Sequence, residues 1–220
     1  MKLVLASQGF TTPEIVRKTV KLVGKSSDEI NVAIVNEAYT GISPGHDYRW
    51  MIDELSLIGD SFGGTIGLVS LRAHSFDELR ERFAFADIIY IVGGKQLVLP
   101  KLFKETGFDR LLGELAQEKV IFGTSAGANV LGEQIVDTDY WDDQYGSHRE
   151  FLDNPSLGFV NFNILPHYDR NDHPRRNKEI LNPILNKHPF PLYGVTDEQA
   201  VFYDDGDISF AGGEPVIFGG

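Results

Sequence analysis

Lys119-Val-Ile-Phe-Gly-Thr-Ser-Ala-Gly-Ala-Asn-Val-Leu131 is the stretch on which the fold turns. Val120 to Phe122 is apolar and long enough for a buried strand. Gly123-Thr124-Ser125-Ala126-Gly127 follows at once, and Ala128 to Leu131 reads as helix. A Gly-x-Ser-x-Gly between strand and helix is the pattern of a nucleophile elbow. The flanking positions must be small because strand and helix backbones converge there. The serine oxygen then stands at the carboxyl end of the strand, and the following backbone N–H groups point at whatever lies above it. The same residues also suit a Gly-rich turn whose serine merely caps the helix. The rest of the chain has to separate the two.

Outward from this point, strands and helices alternate. Leu3–Ala6, Asn31–Val35, Thr65–Leu71, Ile88–Val92, Phe159–Leu165 and Leu192–Val195 read as strands. Thr12-Pro13-Glu14 opens a helix closed by Gly24, and Ser75-Phe-Asp-Glu78 is a capping box. Tyr48–Ile58, Leu97–Glu105, Phe108–Glu118 and Pro174–Lys187 have helical spacing, while Tyr39–Asp47 and Asp137–Glu150 read as loops. Asp205-Gly206 signals a hairpin between Val201–Tyr203 and Ile208–Phe210, and Val216–Phe218 is a last short strand. This alternation predicts an α/β fold, a mostly parallel sheet with helices on both faces, in one domain over residues 1–220.

Composition narrows the function classes. Of the 220 residues, 42% are hydrophobic and 24% charged, as in an ordinary globular enzyme. The net charge of −12 argues against nucleic acid or an anionic membrane as partner. Cysteine is absent, which excludes disulfides and thiolate chemistry. Met1–Ala6 enters a strand directly, no apolar run approaches a membrane span, and a cytoplasmic location is the expectation. No metal or cofactor is expected: the spacing of His167, Asp169, Asp172 and His173 matches no standard zinc pattern, and there is no Walker sequence.

Open parallel sheets bind ligands beyond the carboxyl ends of their strands. Gly93-Gly94, Ser125, His167 and Glu198 each follow a strand and so converge on that edge. Ser125 needs a base during attack, and His167 can take its proton. An acid must fix the imidazole tautomer, a role assigned to Glu198, with Asp197, Asp137 and Asp139 as rivals. Gly94, with Gly93 beside it, and Ala126 can offer backbone N–H groups to an oxyanion. Tyr140, Trp141 and Tyr145, beyond the elbow helix, could line a pocket, and His46, His148, His173 and His188 are the less favoured histidines.

Ile91-Val-Gly-Gly94, Gly123-Thr-Ser-Ala-Gly-Ala-Asn129, Leu165-Pro-His167 and, more weakly, Gly194-Val-Thr-Asp-Glu198 carry a resemblance. On these blocks the chain resembles the dipeptidase E family of serine peptidases, which includes the cyanophycinases. The resemblance implies a three-layer, flavodoxin-like fold similar to class I glutamine amidotransferases, with serine in place of cysteine. It also implies Ser125 as nucleophile, His167 as base, and a small peptide with N-terminal aspartate as substrate. An aspartate substrate needs a cation. Arg176 is the candidate, with Arg175 beside it and Arg170 as a third option. The family's Gly-Gly-Gly-Asn-Thr loop is replaced here by Gly93-Gly94-Lys95-Gln96-Leu97, which alters the contacts that select substrate. The oligomeric state stays open, and a homodimer is compatible with this reading.

Two other functions fit part of the pattern. An α/β-hydrolase esterase shares the elbow but places its acid between Ser and a late His, which would require a pairing such as Asp172 with His188. A non-catalytic ligand- or partner-binding module on the same scaffold would account for the altered Lys95-Gln96-Leu97.

Overall fold

A computed structural model describes residues 1–38, 47–133, 156–185 and 189–220. Residues 39–46, expected as loop and including His46, lie outside them, as do Asp137, Asp139, Tyr140, Trp141, Tyr145, His148 and His188. In chain order the elements are β1 (Lys2–Ala6), α1 (Pro13–Val23), β2 (Val32–Val35), α2 (Arg49–Ser61), β3 (Ile66–Leu68), α3 (Phe76–Ala84), β4 (Ile88–Ile91), α4 (Val98–Thr106) and α5 (Phe108–Leu115). Then come β5 (Val120–Thr124), α6 (Ala126–Asn129), β6 (Asn163–Pro166), α7 (Lys178–Leu185), β7 (Leu192–Val195), β8 (Ala200–Asp204), β9 (Asp207–Ala211) and β10 (Val216–Phe218).

The local signals act as their chemistry dictates. Thr12 caps α1 by accepting from the Ile15 N–H, and Gly24 closes it in the left-handed region. Ser75 and Glu78 form a complete capping box on α3. Asp205 and Gly206, with φ of 47° and 107°, turn β8 into β9. Several limits differ from the pattern: β6 begins at Asn163 rather than Phe159 and α5 ends at Leu115 rather than Glu118, and for two others the cause is visible. α7 begins at Lys178 rather than Pro174, because the Asn177 side chain accepts from the Ile180 N–H and caps it there. β3 stops at Leu68, because Leu71 and Arg72 give their N–H groups to the Glu37 carboxylate instead of a ladder.

The main sheet has seven strands in the order β3-β2-β4-β5-β1-β8-β9. β3 to β1 are parallel, while β8 and β9 run antiparallel at one edge. Alternate residues face two cores. Leu3, Leu5, Ala33, Val35, Ile89, Ile91 and Ile121 pack with residues of α3, α4 and α5. Val4, Ala6, Val32, Ile34, Ile88, Tyr90 and Phe122 pack with Ile15 of α1 and Ile58 of α2. Covering both faces is why these strands are continuous apolar runs. Among the described residues no helix is long and apolar enough to cross a membrane.

The expectation that every strand-end group lies on one sheet is corrected. β6 and β7 pair with each other in parallel, and with antiparallel β10 form a separate three-stranded sheet. β8 occupies the edge of β1, so the later strands cannot extend the parallel order there.

The elbow is held by two close approaches. A Cβ on Gly123 would lie 2.4 Å from the Gly127 carbonyl oxygen, and one on Gly127 would lie 2.1 Å from the Ile91 oxygen. Gly127→Ala is therefore expected to lose roughly 1–3 kcal/mol or more through overpacking, read as a lowered thermal midpoint. Gly113→Ala, with nothing within 4 Å of the added carbon, serves as the control and should hold or gain stability. Equal midpoints for the two variants would reject the close approach.

Candidate active site

Ser125 sits between β5 and α6 with φ 49° and ψ −114°, a conformation L-residues rarely adopt. Such strain costs on the order of 1–3 kcal/mol and persists only where the surroundings impose it. Here the glycine contacts and the bond from the Ser125 N–H to the Ala6 carbonyl, 2.9 Å, impose it. The side chain makes no cap bond to α6, so the helix-capping alternative fails. Its Oγ instead lies 3.2 Å from His167 Nε2.

His167 follows the last residue of β6 and also has positive φ, 56°. Its Nδ1 lies 2.7 Å from Asp197 Oδ1, so hydroxyl, imidazole and carboxylate form one continuous series. Glu198, expected as the acid, is exposed and makes no hydrogen bond to the ring. The reason is the turn after β7. The Gln199 N–H donates to the Thr196 carbonyl at 3.0 Å, and Thr11 Oγ1 donates to the Asp197 carbonyl at 2.6 Å. Together these hold Asp197, not its neighbour, against the end of β1.

Two residues complete the cluster: Ser7, which the sequence did not single out, and Arg170, which was expected only as a third option for binding a substrate carboxylate. Ser7, directly after β1, donates from Oγ to Asp197 Oδ1 at 2.6 Å and accepts from the His167 N–H at 2.7 Å. It thus ties the second sheet to the first. A polar residue ending an apolar strand at the carboxyl edge was its only signal. Arg170 donates from Nη1 to Asp197 Oδ2 at 3.0 Å and also grips the carboxylate of Asp172. Both oxygens of Asp172 are thus engaged by Arg170, and His188, its partner in the esterase alternative, lies outside the described residues. The His173 ring stacks on His167, with centroids 5.4 Å apart and planes 18° from parallel.

Burial pushes the His167 imidazole below its ordinary value. Asp197 opposes this, and the positive charges of Arg170 and Arg176 reinforce it. Burial alone would raise the Asp197 carboxyl. The bond and charge of His167, with the bonds from Ser7 and Arg170, outweigh that and hold it well below the carboxylate range. The resting state is then a neutral imidazole with its proton on Nδ1 towards Asp197 and its Nε2 lone pair towards the Ser125 hydroxyl.

Gly93 and Gly94 lie against the serine. A Cβ on Gly93 would sit 2.9 Å from Ser125 Cβ. The Gly93 N–H donates to Thr124 Oγ1 at 3.1 Å, whereas the Gly94 and Ala126 N–H groups have no acceptor among the described residues. Arg176 is buried, 4% exposed, with Nη1 donating to the Pro166 carbonyl at 3.0 Å. Arg175 is half-buried.

This geometry can be set beside known proteins. The profile of peptidase family S51 matches residues 39–211, more than half of the chain. The chain belongs to peptidase family S51. It is therefore a hydrolase of the peptidase E type, as the motifs implied. An uncharacterized peptidase of Listeria monocytogenes is 26% identical over 144 residues, covering 65% of this chain and 69% of that protein. One from Pasteurella multocida is 27% identical over 146 residues, covering 65% and 68%. In fold, the S51 peptidase is similar to a crystal structure named for peptidase E from Listeria monocytogenes, with TM-score 0.72, 20% identity and coverage of 95% of this chain and 96% of that one. A peptidase from an acI-B1 Actinobacterium gives TM-score 0.66 at 16% identity, covering 99% and 93%.

The electrostatics predict a titration. The His167 ring, followed by NMR, should protonate only below about pH 6.5, the value of a free histidine. Asp197→Asn removes the charge that favours imidazolium, so the midpoint should fall further. Arg170→Gln removes an opposing charge and should raise it. A midpoint above the free value in the wild type would contradict the burial assigned to the ring.

Proposed function

We propose that this S51 peptidase is a serine-type enzyme that hydrolyses small peptides through an acyl-enzyme, with Asp-leading dipeptides as its preferred class. The observation that carries the reading is the unbroken series from Ser125 Oγ through His167 to Asp197. Ser125 Oγ attacks the scissile carbonyl while its proton passes to His167 Nε2. Asp197 fixes the ring and stabilises the imidazolium. The negative charge developing on the carbonyl oxygen is met by the N–H groups of Gly94 and Ala126. His167 then gives its proton to the departing amine as the C–N bond breaks. Water attacks the resulting ester, its proton goes to His167, and Ser125 regains a proton as the acid leaves.

The acidic preference is supported by charge. Arg176 is buried and its positive charge is felt at His167, so it is the cation nearest to hand for a substrate carboxylate, with Arg175 next along the chain. The chain order Ser125, His167, Asp197 runs against the α/β-hydrolase esterase, whose acid precedes its histidine.

A fluorophosphonate probe should label the wild type at one site, and Ser125→Ala should abolish labelling. Failure of the folded wild type to label would favour a ligand-binding module instead. In a dipeptide library the wild type should cleave Asp-leading members well ahead of neutral ones, and Arg176→Ala should narrow that margin by roughly tenfold or more, as loss of a charge-assisted contact does. Equal cleavage of the two classes by the wild type would overturn the acidic preference alone.

A further inference from the structure

Beneath the elbow lies a carboxylate that the chemistry above does not use. Glu54 of α2 is 2% exposed. Its Oε1 accepts from Tyr90 Oη of β4 at 2.6 Å and from Thr124 Oγ1 at the end of β5 at 2.7 Å. Thr124 Oγ1 in turn accepts from the Gly93 N–H at 3.1 Å. No cation is paired with Glu54 among the described residues. Burial pushes its carboxyl up, against the bonds from Tyr90 and Thr124. A buried acid held only by hydroxyl donors is a poor stabilising device, since an apolar side chain of similar volume would avoid its desolvation.

What the acid does accomplish is to settle a direction. The Thr124 hydroxyl has one proton and donates it in the bond to Glu54 Oε1, so its lone pairs are left facing the Gly93 N–H. On the other side of Gly94, the Lys95 N–H donates to the Ala38 carbonyl at 3.0 Å. Gly94 itself has φ +139°, and a Cβ there would lie 2.8 Å from the same Ala38 oxygen. The loop is thus pinned at the amides before and after Gly94, leaving the Gly94 N–H between them. Gly9 packs closely over this network, where a Cβ would come within 2.4 Å of Tyr90 Oη.

We propose that Glu54 is a positioning residue of the hydrolysis: through Thr124 it holds Gly93 so that the Gly94 amide faces the oxyanion formed at Ser125. The proposal rests on the serine-peptidase reading above.

The test compares Thr124→Val, Thr124→Ser and Glu54→Gln with the wild type, using the best-cleaved dipeptide of the library. Hydrogen exchange at the Gly93 amide is measured alongside kcat and KM. Valine keeps the shape and removes both bonds, so kcat should fall by roughly 10- to 100-fold, the range expected when a donor is misplaced rather than deleted. KM should change little and Gly93 exchange should quicken. Serine should restore both, and glutamine, whose Oε1 still accepts, should stay within a few-fold of wild type. If Thr124→Val does not fold, Thr124→Ala against Thr124→Ser gives the same comparison. A folded variant lacking the hydroxyl but keeping wild-type kcat and Gly93 exchange would overturn the proposal, as would a loss that serine does not restore. A wild type that neither labels nor cleaves would bring down the peptidase reading and this proposal together. An active wild type with an indifferent Thr124→Val would bring down this proposal alone.

Discussion

The absence of two side chains governs this molecule. β5 can turn back into α6 within one residue only because nothing projects from Gly123 towards Gly127 or from Gly127 towards the Ile91 carbonyl. That contact forces Ser125 into a positive-φ conformation and lifts its oxygen clear of the helix it begins. A methyl group at either position would force strand and helix backbones apart.

The second constraint joins two sheets. The histidine and its acid ride on β6 and β7, which share no backbone hydrogen bonds with the sheet that carries the serine. Ser7 supplies the link, holding both the backbone of His167 and the carboxylate of Asp197 from the end of β1. Arg170 restrains the other carboxylate oxygen. The bonds to Asp197 are made to a charged carboxylate in partial burial, where such bonds are about twice as strong as neutral ones. The geometry is therefore set by a polar knot rather than by sheet continuity.

Much of this was legible in the residue order. The apolar runs, capping residues and Gly punctuation located the main elements because each depends on contacts a few residues apart. Ser125 and His167 were legible because each directly follows a strand, and Gly93-Gly94 because the pair comes just after β4. The choice of Glu198 over Asp197 failed for a reason of scale. Adjacent residues in a turn project in different directions, and only contacts from Thr11 and Ser7, nearly two hundred positions away, select between them. Ser7 was invisible for the same reason, and Arg170, expected only as a cation for substrate, instead holds Asp197. The limits of β3 and α7 moved because side chains of Glu37 and Asn177 captured backbone N–H groups.

By itself, the order of residues determined the α/β class, the elbow, the family and the placing of Ser125 and His167 at strand ends. Those features rest on periodicity and on short-range steric demands that any fold of the chain must satisfy. The tertiary structure alone decided which carboxylate meets the imidazole, how the two sheets are joined, and that Glu54 lies under the elbow. Those depend on contacts between segments distant in sequence, and hydrogen bonding there discriminates over a few ångströms that periodicity cannot resolve.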